Sequence, residues 1–181
     1  MVGLSSAGGL TFVRAPTAAS RLLPDAREGA VFEQSAAQAA LGAALGARIV
    51  RDGGAALLID YGRSEPGFGD TLQALRRHHK VDPLACPGEA DLTVHADFPA
   101  VMAAATEAGA QASLLTQAAF LARMGIGARA EALVQGAPNR AGAIGRQLNR
   151  LVAGDEMGEW FKVCCLLAPG WPPPAFEEVG G

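Results

Sequence analysis

Two groups of acidic side chains stand where an α/β protein could use them for chemistry. The first follows an apolar run, Ala55 to Ile59, which ends in Asp60, Tyr61 and Gly62. Such a run is typical of a parallel strand buried on both faces, and open α/β sheets bind ligands at the carboxyl ends of their strands. We therefore predict that Asp60 and Tyr61 face a substrate. The structural alternative is that Asp60 caps a turn and Tyr61 packs in the core.

The second group contains Glu89, Asp91 and Asp97, with Thr93 and His95 between them. Three carboxylates at this spacing are candidate contacts for a cationic substrate. The alternatives are a solvated acidic loop and, for Asp97, the N-cap of a following helix. No catalytic role is expected for His95.

Other motifs for enzyme chemistry are missing. The segment Gly67-Phe68-Gly69 lacks the full spacing of a G-x-G-x-x-G frame, so nucleotide binding is not expected there. The sequence has no G-x-S-x-G, H-E-x-x-H or P-loop pattern. Its three cysteines follow no metal or disulfide spacing and are expected to be small core residues of a reducing compartment.

Composition limits the class of protein. A chain of 181 residues that is half apolar suggests one globular domain. A net charge of −3 gives no electrostatic basis for binding nucleic acid. No apolar run approaches the roughly 18 residues that a membrane helix needs.

Capping residues, apolar spacing and Gly/Pro positions predict alternating helices and strands, and hence an α/β fold. The predicted helices are Ser35–Arg51, Asp70–His79, Asp97–Ala108, Gln117–Met124, Ala128–Gln135 and Asn139–Val152. The predicted strands are Leu10–Arg14, Ala55–Asp60, Gln111–Leu115 and Glu159–Leu167. We expect residues 1–181 to form a single domain, with an irregular segment at 1–27, irregular chain at 81–95 and an extended tail at 169–181.

Five segments of the chain resemble one family in its order and at about its spacing. They read GGAALLIDYG, GDTLQALRRH, DPLACPGEADLTVHADF, TQAAFLARMGIGAR and MGEWFKV. Together they are similar to the MidA-like family of class I S-adenosylmethionine-dependent methyltransferases. The resemblance runs from about Glu28 to Phe176 and covers the C-terminal half of a family member.

The resemblance implies a Rossmann-like class I methyltransferase fold, here incomplete, and S-adenosylmethionine as the cofactor. It also implies methylation of an arginine on a partner protein, with a link to the assembly of respiratory complex I. Asp60, Tyr61 and Asp91 would orient the acceptor. A guanidinium stays charged in water, and a carboxylate fixes its plane through two parallel hydrogen bonds. The substrate-binding residues would be Gly62, Glu89, Thr93, Asp97 and Gln117, although a helix-start role for Gln117 is equally open.

The family's glycine-rich cofactor loop, ribose-binding acid and Asn-Glu motif have no counterpart in the sequence, so we predict no cofactor-binding residue in this chain. Two alternatives to an enzyme follow. The chain could be a non-catalytic binding or scaffold fragment, or one half of a split methyltransferase that pairs with an N-terminal partner half or with itself. The expected location is the cytoplasm of a bacterium or the mitochondrion of a eukaryote.

Overall fold

The computed structural model describes residues 1–16, 24–171 and 175–176. The chain divides into two compact units, one formed by Met1–Glu33 and Gly67–His95 and the other by Gln34–Pro66 and Ala96–Gly181. We call them the first and second units. The single domain expected over residues 1–181 stays a prediction. Within the described ranges, none of the helices has the length and apolar character needed to cross a membrane.

Strands and helices both occur, so the predicted α/β class is confirmed. The strands are β1 (Val2–Leu4), β2 (Leu10–Phe12), β3 (Ala55–Arg63), β4 (Gln73–Arg76), β5 (His79–Val81), β6 (Asp91–Thr93), β7 (Ala96–Asp97), β8 (Gln111–Thr116) and β9 (Phe161–Leu167). The helices are α1 (Ala36–Asp52), α2 (Phe98–Glu107), α3 (Gln117–Arg123), α4 (Ile126–Gly136), α5 (Ala141–Val152) and α6 (Met157–Trp160), with a 3-10 turn at Pro138–Arg140 before α5.

The second unit is built on a four-stranded sheet with the order β7-β3-β9-β8. Strand β9 is antiparallel to both β3 and β8, and β7 pairs with β3 in parallel at Gly62 and Arg63. Helices α1 and α2 pack on each other beside this sheet. The core includes buried residues of α1, α2 and β9, namely Ile49, Phe98, Ala105, Cys164 and Leu166.

Two glycines allow α1 to lie very close to α2. A Cβ at Gly42 would stand 2.3 Å from the carbonyl oxygen of Val101, and a Cβ at Gly46 would stand 2.7 Å from that of Ala105. Both distances are far inside van der Waals contact. The sequence G-A-A-L-G in α1 therefore sets the distance between the two helices.

The first unit contains only β-structure among its described elements. Strands β1 and β2 form an antiparallel pair, and β4 is the centre of a three-stranded antiparallel sheet with the order β5-β4-β6. Ala74 of β4 is almost completely buried. Phe32 and Phe68 meet edge to face, with ring centroids 5.6 Å apart.

Side-chain caps confirm three predicted helix starts. Ser35 Oγ accepts a hydrogen bond from the N–H of Gln38 at 3.3 Å and begins α1. Asp97 Oδ1 accepts from the N–H of Ala100 at 3.2 Å and begins α2. Thr116 Oγ1 accepts from the N–H of Ala119 at 3.2 Å and begins α3. Each cap satisfies an N–H that the first helical turn leaves without a partner.

The predicted helix at Asp70–His79 is wrong, because this segment forms the hairpin of β4 and β5. The stretch Leu72 to Arg76 contains good helix formers, but β4 pairs on both sides, with β5 and with β6. Tertiary pairing of this kind overrides local propensity. The irregular chain expected at 81–95 also contains β6.

The prediction that β3 is a parallel strand buried on both faces is wrong in two respects. Its main partner, β9, is antiparallel. The side chains of Leu57 and Ile59 are 53% and 54% exposed, so one face of the strand is open. Strand β9 itself is buried on both faces, and the adjacent thiols of Cys164 and Cys165 are both buried and free.

Some predicted boundaries shift. The strand expected at Glu159–Leu167 begins at Phe161, since residues 157–160 form α6. Within the segment expected to be irregular at 1–27, residues 2–4 and 10–12 form strands β1 and β2. Of the expected tail, residues 172–174 and 177–181 lie outside the described residues, as do residues 17–23 of the N-terminal segment.

Candidate functional site

In the second unit, Asp60 is exposed near the carboxyl end of β3. Its Oδ1 accepts a hydrogen bond from the N–H of Tyr61 at 2.8 Å. No cation among the described residues pairs with this carboxylate. The hydrogen bond holds one oxygen in place, and the negative charge remains available to a ligand.

Tyr61 and Gly62 follow Asp60 on the same strand. The Tyr61 ring packs edge to face on Phe161, with centroids 5.7 Å apart, so part of the side chain serves the fold as the structural alternative expected. A Cβ at Gly62 would stand 2.4 Å from the carbonyl oxygen of Ala96. Gly62 is therefore required for β7 to approach β3, which is a structural function.

Asp97 and Gln117 have structural partners. Besides capping α2, Asp97 donates its N–H to Gln38 Oε1 at 2.7 Å. Gln117 is 7% exposed and donates from Nε2 to the carbonyl oxygen of Leu151 at 2.8 Å, which joins the start of α3 to the last turn of α5. These contacts support the cap for Asp97 and the helix-start role for Gln117. Their role in substrate binding stays a prediction.

Sequence reasoning missed Lys162, which is a buried cation near Asp60. Lys162 lies on β9 between Asp60 of β3 and Thr116 of β8 in the strand register. Its side chain is 7% exposed, and Nζ donates to the carbonyl oxygen of Glu159. A single lysine inside the apolar run F-K-V-C-C was the available signal, since buried lysines are rare unless they are paired.

In the first unit, β6 and the residues before it contain two members of the second acidic group, Asp91 and Glu89. Asp91 begins β6, is exposed and has no side-chain partner among the described residues. Glu89 differs, because it pairs with the guanidinium of Arg76 on β4. Of these two acids, Asp91 is the one whose charge is not already compensated.

The hydroxyl of Thr93 is the buried polar atom without a partner in the described part of the chain. Its Oγ1 is inaccessible to solvent and has no hydrogen bond. An unsatisfied buried hydroxyl costs about 1–3 kcal/mol, so such groups call for an explanation. The expectation that Thr93 contacts a substrate stays a prediction.

Sequence reasoning also missed a hydrogen-bond network in the first unit. The Glu33 carboxylate accepts from the N–H of Thr71 at 2.8 Å and from its hydroxyl at 2.6 Å. Thr71 Oγ1 in turn accepts from the N–H of His95 at 3.0 Å. This network ties three distant segments of the chain together beside β6, and no local sequence signal reveals it.

An open cleft of about 530 Å³ lies between residues 25–31 and 68–70 of the first unit. The predicted site residues are not in its lining, and the acids described above remain the better candidates for chemistry. The adjoining Gly67-Phe68-Gly69 loop does not offer a phosphate or carboxylate cradle, since the N–H of Gly69 is bound to the carbonyl oxygen of Val31 at 2.9 Å.

Comparison with known proteins identifies the family. Residues 5–116 match the family described as S-adenosyl-L-methionine-dependent methyltransferases. The chain belongs to this MidA-like family. It is 34% identical over 124 residues to the mitochondrial protein arginine methyltransferase NDUFAF7 of Danio rerio. The aligned region covers 68% of this chain and 29% of that relative. It is 36% identical over 155 residues to NDUFAF7 of Rattus norvegicus. Here the aligned region covers 75% of this chain and 35% of the relative.

A solved structure extends the match to nearly the whole chain. A COG1565 superfamily member from Burkholderia thailandensis, solved bound to S-adenosyl-homocysteine, superposes with a TM-score of 0.84 and 30% identity over 99% of this chain. This match confirms the Rossmann-like methyltransferase fold predicted from the resemblance. The MidA-like chain spans about half the length of that structure and about a third of the curated relatives.

Proposed function

We propose that this MidA-like chain supplies the acceptor-binding side of an S-adenosylmethionine-dependent protein arginine N-methyltransferase that acts in the assembly of respiratory complex I. The acceptor would be an arginine on a partner protein, such as a complex I subunit. The relatives named as protein arginine methyltransferases support the reaction class. The structural observation that carries the proposal is the exposed Asp60 carboxylate near the end of β3, which has no cationic partner among the residues that the structure describes.

The carboxylate would act by orientation. A guanidinium held by a carboxylate through two hydrogen bonds keeps its plane fixed, and methyl transfer depends on alignment of the attacking nitrogen with the methyl group. The cofactor supplies an electrophilic methyl group when it is bound. In the first unit, Asp91 is the second candidate for the acceptor, and Tyr61 is the candidate ring beside Asp60.

We place the cofactor in the part of the family fold that this chain does not span. The S-adenosyl-homocysteine-bound relative is about twice as long as the matched region, and in the Gly67-Phe68-Gly69 loop of this chain the N–H of Gly69 is already bound to the carbonyl oxygen of Val31. The other half could belong to the same polypeptide or to a separate chain. We also propose the cellular location by analogy with the family, as the mitochondrion for a eukaryotic protein and the cytoplasm for a bacterial one.

A completed enzyme, in which this chain is joined to the cofactor-binding half of a family member, tests the proposal. Asp60→Asn removes the charge and keeps the Oδ1 acceptor for Tyr61. We expect methyl transfer to fall about 10- to 100-fold, since a charged hydrogen bond is worth roughly 1.5–3 kcal/mol. Cofactor affinity should stay within about threefold, under 1 kcal/mol.

The matched control is Glu131→Gln, which removes a charge from the exposed surface of α4 and should change neither quantity. Asp91→Asn tests the first unit by the same assay. If Asp60→Asn transfers methyl groups within about threefold of wild type, Asp60 is a structural residue and the proposal loses its main support.

The second candidate is a non-catalytic protein-binding subunit. The structural partners found for Gly62, Asp97 and Gln117 favour it, because they leave fewer of the predicted residues for substrate. Under this alternative, the completed enzyme would bind its protein partner but would not methylate it.

A further inference from the structure

A strained and strongly basic hairpin tip lies in the first unit. The loop between β4 and β5 consists of Arg77 and His78, and the pair Arg76–His79 closes it. Both loop residues have positive φ, 50° and 65° respectively. Two-residue loops with positive φ at both positions normally contain Asn-Gly or Gly-Gly, because a Cβ disfavours the left-handed region.

Nothing else in the described fold explains why Arg and His occupy this loop. Neither side chain has a hydrogen bond or an ion pair among the described residues. Residues held in the left-handed region at a cost are a recognised mark of functional positions. What the two residues share with their neighbours is that their side chains are basic, since the run R-R-H-H-K occupies positions 76–80 of a chain whose net charge is −3.

The strand register places a positive and a negative group on one face of the same sheet. Leu75 of β4 is opposite Lys80 of β5 on one side and Asp91 of β6 on the other. Directly opposed residues point to the same face, so Lys80 and Asp91 flank Leu75 about 10 Å apart, twice the strand spacing. Both side chains are exposed and neither has a partner among the described residues.

This arrangement selects the kind of ligand. A polyanion such as a nucleic acid requires several cationic contacts and would be repelled by Asp91 at the same end of the sheet. A peptide that carries both charges satisfies both groups. A bound peptide in the polyproline II conformation has three residues per turn and advances about 3.1 Å per residue. Side chains three positions apart then lie on one face about 9 Å apart, so an arginine at Asp91 places such an acid beside Lys80 and the tip.

We propose that the basic tip and Lys80 bind acidic residues that flank the acceptor arginine, so that the preferred substrate segment is an arginine with a glutamate or aspartate about three positions away. This inference rests on the proposed function, because Asp91 is taken there as a contact for the acceptor. It adds the sequence preference around the acceptor.

Fluorescence anisotropy with the 181-residue chain and three labelled peptides tests the inference. The reference peptide contains Arg-Ala-Ala-Glu between neutral residues, the second replaces Glu with Gln, and the third replaces Arg with Lys. We expect the Glu peptide to bind about three- to fivefold tighter than the Gln peptide at low salt, the range for exposed ion pairs. Salt should reduce this difference.

Two variants locate the effect. Arg77→Asn combined with His78→Gly keeps the two-residue turn with residues that favour it and removes the charge, and Lys80→Gln removes the second contact. Each should abolish the preference for the Glu peptide. The control Arg129→Gln removes one positive charge from exposed α4 of the second unit and should keep the preference.

Each outcome decides a point. Equal binding of the Glu and Gln peptides, tighter binding of an oligothymidylate of equal charge, or no binding below about 1 mM would overturn the inference. A Glu preference that survives the double substitution would also overturn it. Equal binding of the Arg and Lys peptides would instead count against the proposed function and leave the acid preference standing.

Discussion

The Glu33 carboxylate accepts hydrogen bonds from both donors of Thr71, from its N–H at 2.8 Å and from its hydroxyl at 2.6 Å. The two residues are 38 positions apart in sequence, and Thr71 Oγ1 also accepts a hydrogen bond from the backbone N–H of His95. The first unit therefore depends on one threonine for the relative placement of three segments.

Replacing this threonine should weaken the fold. Thr71→Val keeps the shape but removes the hydroxyl that Glu33 and His95 share, and we expect a loss of about 1–3 kcal/mol in the free energy of unfolding. Urea denaturation followed by circular dichroism measures it. Thr71→Ser retains the hydroxyl and is the control. If the valine variant is as stable as the serine variant, the network contributes nothing to stability.

The contact between α1 and α2 should be intolerant of a single methyl group. Gly42→Ala places a Cβ 2.3 Å from the carbonyl oxygen of Val101, and we expect a loss of roughly 1–3 kcal/mol or more from overpacking. Gly145→Ala is the matched control, because a Cβ in that exposed position of α5 meets nothing within 4 Å. It should stabilise the chain by about 0.5–1 kcal/mol. Thermal unfolding of the pair distinguishes packing from helix propensity.

The turn variant designed for binding also predicts stability. Arg77→Asn with His78→Gly relieves left-handed backbone at two positions, each worth about 1–2 kcal/mol. We expect the melting temperature to rise by a few degrees. A lower melting temperature would show that the Arg77 and His78 side chains support the fold, contrary to the unexplained strain on which the inference depends.

The open edge of β3 should make the 181-residue chain self-associate when it is expressed alone. Among the described residues, β3 pairs on its second side only at Gly62 and Arg63, and the exposed Leu57 and Ile59 are apolar. Unpaired apolar edges recruit other strands. Light scattering across a concentration series should show oligomers that Leu57→Lys disperses. A monomer at every concentration, with or without the lysine, would contradict this prediction.

The thiols of β9 should be unreactive in the native chain. Burial, together with a smaller contribution from the neighbouring Cys165, raises the pKa of Cys164 to about 12. Burial also raises the pKa of Cys165. Because the thiolate is the reactive form, Ellman's reagent at pH 8 should titrate Cys86 rapidly and the other two only after unfolding in urea. Cys86→Ser should remove the rapid phase. Rapid labelling of all three would show that β9 opens readily.

The raised pKa of Cys164 also predicts that the free energy of unfolding depends on pH. An unfolded chain would ionise these thiols near their ordinary pKa of 9.0, whereas the folded chain keeps Cys164 protonated up to about pH 12. The unfolded state thus loses protons first, and stability falls as the pH rises from about 9 towards 12. Replacing Cys164 with Ala should flatten that part of the stability profile measured by urea denaturation.

Helix caps and apolar spacing predicted the helices and strands whose ends depend on residues that are close in sequence. Ser35 and Asp97 cap the helices that follow them as predicted, and caps, apolar spacing and terminal glycines together located α1 and α2. The hairpin at Arg77 was missed because its residues favour a helix and because the strand that overrides them, β6, lies farther along the chain. Nothing near Glu33 in sequence indicates that Thr71 is its partner.

The candidate site shows the same division. Asp60 could be selected from sequence because the end of its strand follows from the apolar pattern. Asp91 was selected only as one of a group of acids, in a segment expected to be irregular that contains β6. That Glu89 is neutralised by Arg76, and that Gln117 binds the carbonyl of Leu151, depends on tertiary contacts that spacing does not reveal.

The position of β9 has a consequence for how the polypeptide is made. This strand is the last one in the described chain, yet it lies inside the sheet between β3 and β8, and Tyr61 pairs with Phe161, 100 positions later. Neither earlier strand has its main partner until residues 161–167 leave the ribosome. Pairing over such a separation is slow to form, so the nascent chain carries β3 and β8 without their shared partner, and the sheet assembles only after β9 has emerged.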